Sequence, residues 1–106
     1  MTNSDYSKSD LVSALKEIGL KDGDLAFIHN SMFHLGRLEN CDSSKEVSRI
    51  VFDSFFEVLG PTGTLLVPTY TYSLCNDKSF DVKNTPSSIG TFTEFFRNQK
   101  GAVRSA

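Results

Sequence analysis

No apolar run in the 106 residues approaches the roughly 20 that a membrane helix needs. No apolar leader is expected either, because Met1 to Asp10 is polar. Cysteine is scarce. Cys41 and Cys75 stand far apart in polar stretches, and neither belongs to a CxxC pair. A zinc site and a disulfide are therefore not expected, and both residues read as free thiols of a cytoplasmic protein. Basic runs are missing as well. The net charge is −2, and Lys100 with Arg104 is the nearest approach to a cationic patch. This argues against a protein whose whole surface is built for nucleic acid. GxGxxG, GxxxxGK[ST] and GxSxG are all absent, which removes the commonest nucleotide loops and the nucleophile elbow. His29 and His34 have poor ligand spacing and no carboxylate cluster nearby, so no metal is expected.

What is present fits one globular unit, since 39% of the residues are hydrophobic and 23% charged. Ser7-Lys8-Ser9-Asp10 has the form of a helix start, followed by Leu11, Leu15 and Ile18 at helical spacing and Gly19 at the stop. Lys21 to Asp24 is a turn. Leu25 to Ile28 is continuously apolar and too short for a helix, so it reads as a strand buried on both faces. Ser43 to Glu46 is a capping box. After it Val47, Ile50, Val51, Phe55, Val58 and Leu59 mark a helix from about Ser44 to Leu59, stopped by Gly60-Pro61. Thr64 to Val67 is a second buried-type strand, ended by Pro68. Residues 73–86 form a polar loop. Ser87 or Ser88 is expected to cap a third helix carrying Ile89, Phe92, Phe95 and Phe96, with Gly101 at its end.

Strand, crossover helix, strand predicts a parallel βαβ core with flanking helices, an α/β fold. Two parallel strands are few for a sheet covered on both faces. The expectation is thus the N-terminal part of a larger α/β/α domain, with apolar surface on the strands and on the Phe92/Phe96 face left uncovered.

Both strands run into polar segments, His29-Asn30-Ser31 and Thr69-Tyr70-Thr71-Tyr72. Ligands of open α/β sheets bind beyond the carboxyl ends of the strands. The loop after Ser31 leads to a helix, where backbone N–H groups suit a phosphate, and Gly36 permits close backbone approach. Plainer readings stand beside these. His29 can simply satisfy loop backbone, His34 reads as an exposed or capping histidine, Tyr70 and Tyr72 can flank a strand, and the phenylalanines read as core.

Taken in order, these motifs resemble the aminoglycoside 3-N-acetyltransferase family. The family's "GL-x-x-GD" turn and "HSSL…G" loop match Gly19 to Asp24 and His29 to Gly36. Its "LGPEGTLVMPTFT" matches Leu59 to Tyr72. "FD", "TPS-x-x-G" and "GAVRS" match Phe80-Asp81, Thr85 to Gly90 and Gly101 to Ser105. Asn30 departs from the first serine of the family loop, and Phe33 from a position that is often polar. The family's next motif, "P-x-HS", and the catalytic candidates beyond it lie past residue 106.

The resemblance implies an acetyl-CoA-dependent N-acetyltransferase acting on an aminoglycoside or other amino sugar, here as a partial domain spanning residues 1–106. It implies that Ser31, Met32 and Phe33 offer backbone amides to coenzyme A, that Gly36 closes the loop, and that His29 braces it. Arg104 and Ser105 would face the cofactor's phosphates or pantetheine. Tyr70, Thr71 and Tyr72 would line the acyl or acceptor end. No catalytic base is assigned within the chain. The expected partner is a small-molecule amine, without nucleic acid or membrane, and oligomerisation stays open. Two alternatives remain at this point: a catalytically inactive remnant that binds a partner, and an unrelated α/β module for a phosphate ligand.

Overall fold

The computed structural model describes residues 4–29, 36–73 and 76–105. Five elements follow one another: α1 (Lys8–Glu17), β1 (Leu25–Phe27), α2 (Ser44–Leu59), β2 (Thr64–Leu66) and α3 (Thr91–Arg97). The two strands pair in parallel, with Leu25 opposite Thr64, Ala26 opposite Leu65 and Phe27 opposite Leu66. The crossover between them is α2, at the expected boundaries.

Each helix start shows which local signals win. Ser7 caps α1 reciprocally: its Oγ accepts the Asp10 N–H at 3.2 Å, and the Asp10 carboxylate accepts the Ser7 N–H at 2.9 Å. Gly19, at φ +103°, takes the chain out of the helix. Ile18 does not join the apolar face as its spacing suggests. It is the C-cap residue and is exposed, while Val12 and Leu15 are buried and Leu20 packs beside them after the turn. Ser43 caps α2 by accepting the Glu46 N–H at 3.2 Å. The Glu46 carboxylate reaches Asp42 N–H rather than Ser43 N–H, so the box is offset by one residue.

The third helix differs more from its expectation. Neither Ser87 nor Ser88 is the cap; Gly90 is, with no side-chain cap bond. Ser87 is engaged elsewhere, its Oγ 2.7 Å from Thr93 Oγ1 and its N–H donating to Glu94 Oε1 at 2.7 Å. The helix ends at Arg97, short of Gly101, because Asn98 closes it: its N–H bonds Phe95 O and its amide bonds Glu94 O at 2.8 Å.

Val12 and Leu15 of α1 meet Val58 of α2 in one apolar cluster, with Leu11, Leu20 and Phe55 against it. On the other side of α2, Phe52 packs with Phe95 and Phe96 of α3 at ring separations of 6.0 and 5.8 Å. Phe92 is buried and Phe96 half-buried, so this aromatic face is covered rather than exposed. Two polar positions, Ser48 and Ser54, are buried on α2 among the apolar ones. Ser54 Oγ donates back to Ile50 O at 2.6 Å, the usual way a helix satisfies a buried serine.

The sheet corrects the expectation of strands buried on both faces. Ala26 and Leu65 share the side packed toward the helices. On the other side Leu25, Phe27 and Leu66 are 66%, 55% and 44% exposed. Among the described residues no helix lies across that side, which leaves an exposed apolar strip.

Cys41 is a free, half-buried thiol. Burial pushes its pKa up, with Glu46 and Asp42 adding to the effect, so it stays a thiol. Cys75 lies outside the described residues. Among those residues no helix is long and apolar enough to cross a membrane, and no group of three His, Cys, Asp or Glu is placed to hold a metal ion.

Candidate functional site

The amino ends of the strands are joined by backbone. Gly23 N–H donates to Leu59 O at 2.8 Å and Thr64 N–H to Asp24 O at 2.9 Å. The turn before β1 therefore grips the turn before β2, and both strands start level. The motifs on either side of this contact, Gly19 to Asp24 and Leu59 to Thr64, act on the fold. They set the strands so that both carboxyl ends open on the same side.

At that side lies a cavity of about 980 Å3. Its walls come from five stretches distant in sequence: Phe27 at the end of β1, β2 and its exit through Tyr70 and Tyr72, Phe80, the end of α3 at Arg97, and the terminal segment with Arg104 and Ser105. Pro68, buried, ends the strand here. Beyond it the chain turns, with Thr71 Oγ1 2.9 Å from Ser73 Oγ and Asn76 N–H on Tyr72 O at 3.1 Å. Tyr70 and Tyr72 are 60% and 59% exposed, their rings turned to the open cavity and solvent rather than into the core.

Arg104 organises this end. Its Nε donates to Thr69 Oγ1 at 3.1 Å and its Nη2 to Thr69 O at 2.7 Å. Its Nη1 donates to Val82 O at 3.3 Å and also to Thr85 O. The guanidinium lies 4.7 Å from the Phe80 ring centroid, within cation–π range. Burial, first, and the Arg97 charge, second, lower its pKa, with Glu94 opposing. Four of its five N–H groups thus go to protein oxygens on two separate loops.

The loop that offers those oxygens is itself locked by Asp81. Its carboxylate accepts Lys83 N–H at 2.9 Å and the Asn84 backbone and side-chain N–H groups at 3.3 and 3.1 Å. Those bonds, the one from Lys83 foremost, hold the carboxyl below its ordinary range. Asp81 N–H donates to Thr85 Oγ1 at 2.7 Å, and Thr85 N–H returns to Asp81 O at 2.9 Å.

A second ionic node backs the cavity. Arg97 forks onto Glu94 through Nε at 2.8 Å and Nη2 at 2.6 Å, and its Nη1 donates to Lys83 O at 2.7 Å. Glu94 is pulled down to about 2, foremost by the Arg97 hydrogen bonds, with Ser87 N–H and the Asn98 amide adding to them against the cost of burial.

Of the residues singled out from sequence, Tyr70, Thr71, Tyr72, Arg104 and Ser105 come together on one cavity. Ser31, Met32 and Phe33 lie outside the described residues, as does His34. Gly36 is not on the cavity wall. Its φ is +85°, and a side chain there would meet the Asp5 carboxylate. Asp5 Oδ2 accepts the Arg37 N–H at 2.7 Å, and Asp5 N–H returns to Arg37 O at 2.8 Å. The close approach that makes glycine necessary is that of Asp5. His29 is exposed, its ring 4.9 Å from that of Phe27.

Sequence reading passed over Arg97, Glu94 and Asp5. The Glu94/Arg97 pair does carry an i, i+3 signal; Asp5 carries none, because its partner is 32 positions away. Chemically, the cavity combines tyrosine ring faces, threonine and serine hydroxyls and two arginines. Among the described residues no carboxylate or imidazole lines it.

The sequence model of the family described as aminoglycoside 3-N-acetyltransferase matches residues 27–106. No curated protein matches the chain. Among solved structures, AAC-VIa bound to sisomicin is 27% identical, with a TM-score of 0.75 over 95% of this chain and 42% of its own. AAC(3)-IVa in complex with a gentamicin is 24% identical, with a TM-score of 0.76 over 94% of this chain and 36% of its own. AAC-IIIb in a binary complex with CoASH is 21% identical, with a TM-score of 0.74 over 95% and 42%. The last two likenesses speak for the fold. The chain spans about two fifths of the length of the structures it matches.

Proposed function

The chain belongs to the aminoglycoside 3-N-acetyltransferase family, and from that membership we propose that it carries the acyl-donor side of an acetyl-CoA-dependent N-acetyltransferase acting on an aminoglycoside amine. One observation carries the reading: Tyr70 to Tyr72 and Arg104-Ser105, far apart in sequence, line a single cavity at the carboxyl ends of parallel strands. That is where an open α/β sheet receives its ligand. Membership leaves the alternative of an unrelated phosphate-binding module without support.

The lining suits the donor better than the acceptor. An aminoglycoside is a polycation and needs carboxylates, whereas Arg97 and Arg104 are the charged groups on this wall. Apolar and tyrosine surface with a few hydroxyls fits pantetheine and an acetyl group. Tyr70 and Tyr72 stand at the boundary where a sugar ring would meet them. Residues 31–33 remain our candidates for amide donors to coenzyme A.

In the reaction the neutral amine forms the C–N bond to the thioester carbon, the C–S bond breaks to release coenzyme A as the thiolate, and the amine proton passes through a base to that sulfur or to solvent. Donors at the carbonyl oxygen stabilise the charge that develops there. The hydroxyl-bearing residues on the cavity wall are Thr69, Tyr70, Thr71, Tyr72, Ser73 and Ser105. The base is not among the described lining residues. A chain that binds coenzyme A without turning it over is accordingly the second reading, and we place either in the cytoplasm, where acetyl-CoA is found.

Titration calorimetry of the chain with coenzyme A and with sisomicin tests the proposal, together with an assay for thiol released from acetyl-CoA. Coenzyme A binding is the expected result. Thiol release dependent on the aminoglycoside separates the enzyme from the binding-only form. A chain that binds neither ligand would overturn the proposal.

A further inference from the structure

Arg104 is the feature whose geometry goes furthest beyond family membership. Resting on the donor-site reading above, we propose that Arg104 is a positioning residue: it acts through Thr69 to hold the Tyr70–Tyr72 segment as a wall of the cavity, and it does not serve as a phosphate contact. Thr69 is gripped twice, at its hydroxyl and at its carbonyl. The next carbonyl, Tyr70 O, accepts Ser88 N–H at 2.9 Å from the opposite side. The exit of β2 is thus pinned between Arg104 and residue 88, and the exposed tyrosine rings follow from that pinning. The same guanidinium ties in the 82–85 carbonyls, so one planar fork joins three stretches of chain.

Only arginine does this. A lysine ammonium is a point donor and cannot address Thr69, Val82 and Thr85 in one plane while stacking on Phe80. A phosphate contact would behave differently, because lysine serves phosphate well as a charge.

The experiment compares coenzyme A with pantetheine, which lacks the phosphates, by NMR titration of the unaltered chain, Arg104→Lys and Thr69→Val, with melting temperatures for each. A positioning residue lowers the affinity for both ligands by the same factor. We expect about five- to tenfold in Arg104→Lys, the range of one ordinary net hydrogen bond, and about two- to threefold in Thr69→Val, which loses one acceptor. Ser88 amide exchange should quicken in both variants without ligand. A loss confined to coenzyme A, or lysine matching arginine for both ligands, overturns the inference in favour of a phosphate contact. Lower melting temperatures with unchanged affinities overturn it in favour of a merely structural role. If Arg104→Lys fails to fold, Thr69→Val decides, since equal losses support the inference and unchanged affinities refute it. Failure of the unaltered chain to bind either ligand is a different result, and removes the donor-site reading on which this rests.

Discussion

The two ends of the sheet are built differently. At the amino ends, the turns before β1 and β2 meet backbone to backbone through Gly23, Leu59, Asp24 and Thr64. Lys21 N–H on Asp24 Oδ2 at 3.0 Å and Gly60 N–H on Phe56 O at 2.9 Å complete them locally. At the carboxyl ends, the chain is held by side chains reaching across 19 to 35 positions, above all Arg104. Backbone turns leave little room for adjustment and give the strands their level start. A crevice clamped by one guanidinium can keep tyrosines, hydroxyls and carbonyls at its surface for a ligand. Stability and recognition are therefore expected to separate along the strands.

The largest effect should come from Gly60. Its φ of 71° with ψ of −174° lies in a region nearly reserved for glycine. Gly60→Ala should destabilise the fold by about 1–3 kcal/mol in urea unfolding. Asp22 faces this position, but its carboxylate can swing aside. Adding Asp22→Ala should recover little, and a full recovery would mean that collision rather than backbone strain is the cause. Affinity for coenzyme A per folded molecule should not change. A large affinity loss here would break the separation between the two ends.

Glu94 gives the next effect, through pH. Its carboxyl is near 2 in the folded chain and 4.5 as its ordinary value. A depressed carboxyl contributes stability that is fully present above about 4.5 and is lost as pH falls toward 2. A third of the side chain meets solvent, so screening leaves about 1–2 kcal/mol. Glu94→Gln should lower stability at pH 7 and flatten its fall between pH 4.5 and 2 in denaturation series. An unchanged slope would show that the fork onto Arg97 does not persist in solution.

The smallest stability effect belongs to the tyrosines. Tyr70→Ala and Tyr72→Ala remove rings that are mostly exposed, so unfolding midpoints should move by no more than about 0.5 kcal/mol. Titration with sisomicin or pantetheine should weaken by about three- to tenfold, the scale of one lost stacking or packing surface. Tyrosines that matter for unfolding and not for binding would place them in the core after all.

Much of this was legible in the residues alone, for a consistent reason. The capping signals at Ser7 and Ser43, the helical period of α2 and the glycine stops of α1 and α2 act within a few positions, and backbone geometry answers them directly. The same holds for two short apolar runs separated by a helix, which can only pair in parallel when the connection crosses over. The grouping of the 70–72 and 104–105 segments was also reachable, through family resemblance.

Other features needed the folded chain. Periodicity marks Ile18 as apolar but cannot say that the helix ends beneath it. An apolar strand reads the same whether one face or two are covered, so the exposure of Leu25, Phe27 and Leu66 depended on which elements pack against the sheet. Ser87 has the right chemistry for a cap, yet Thr93 and Glu94 claim it and the helix starts later. Arg104 shows the difference most clearly. The sequence by itself determined that an arginine stands after Gly101-Ala102-Val103. Only the tertiary structure decided that its donors meet carbonyls 19 to 35 positions back, because a hydrogen bond is satisfied by whichever acceptor the fold brings within about 3 Å, and nothing in the local residue pattern encodes that distance.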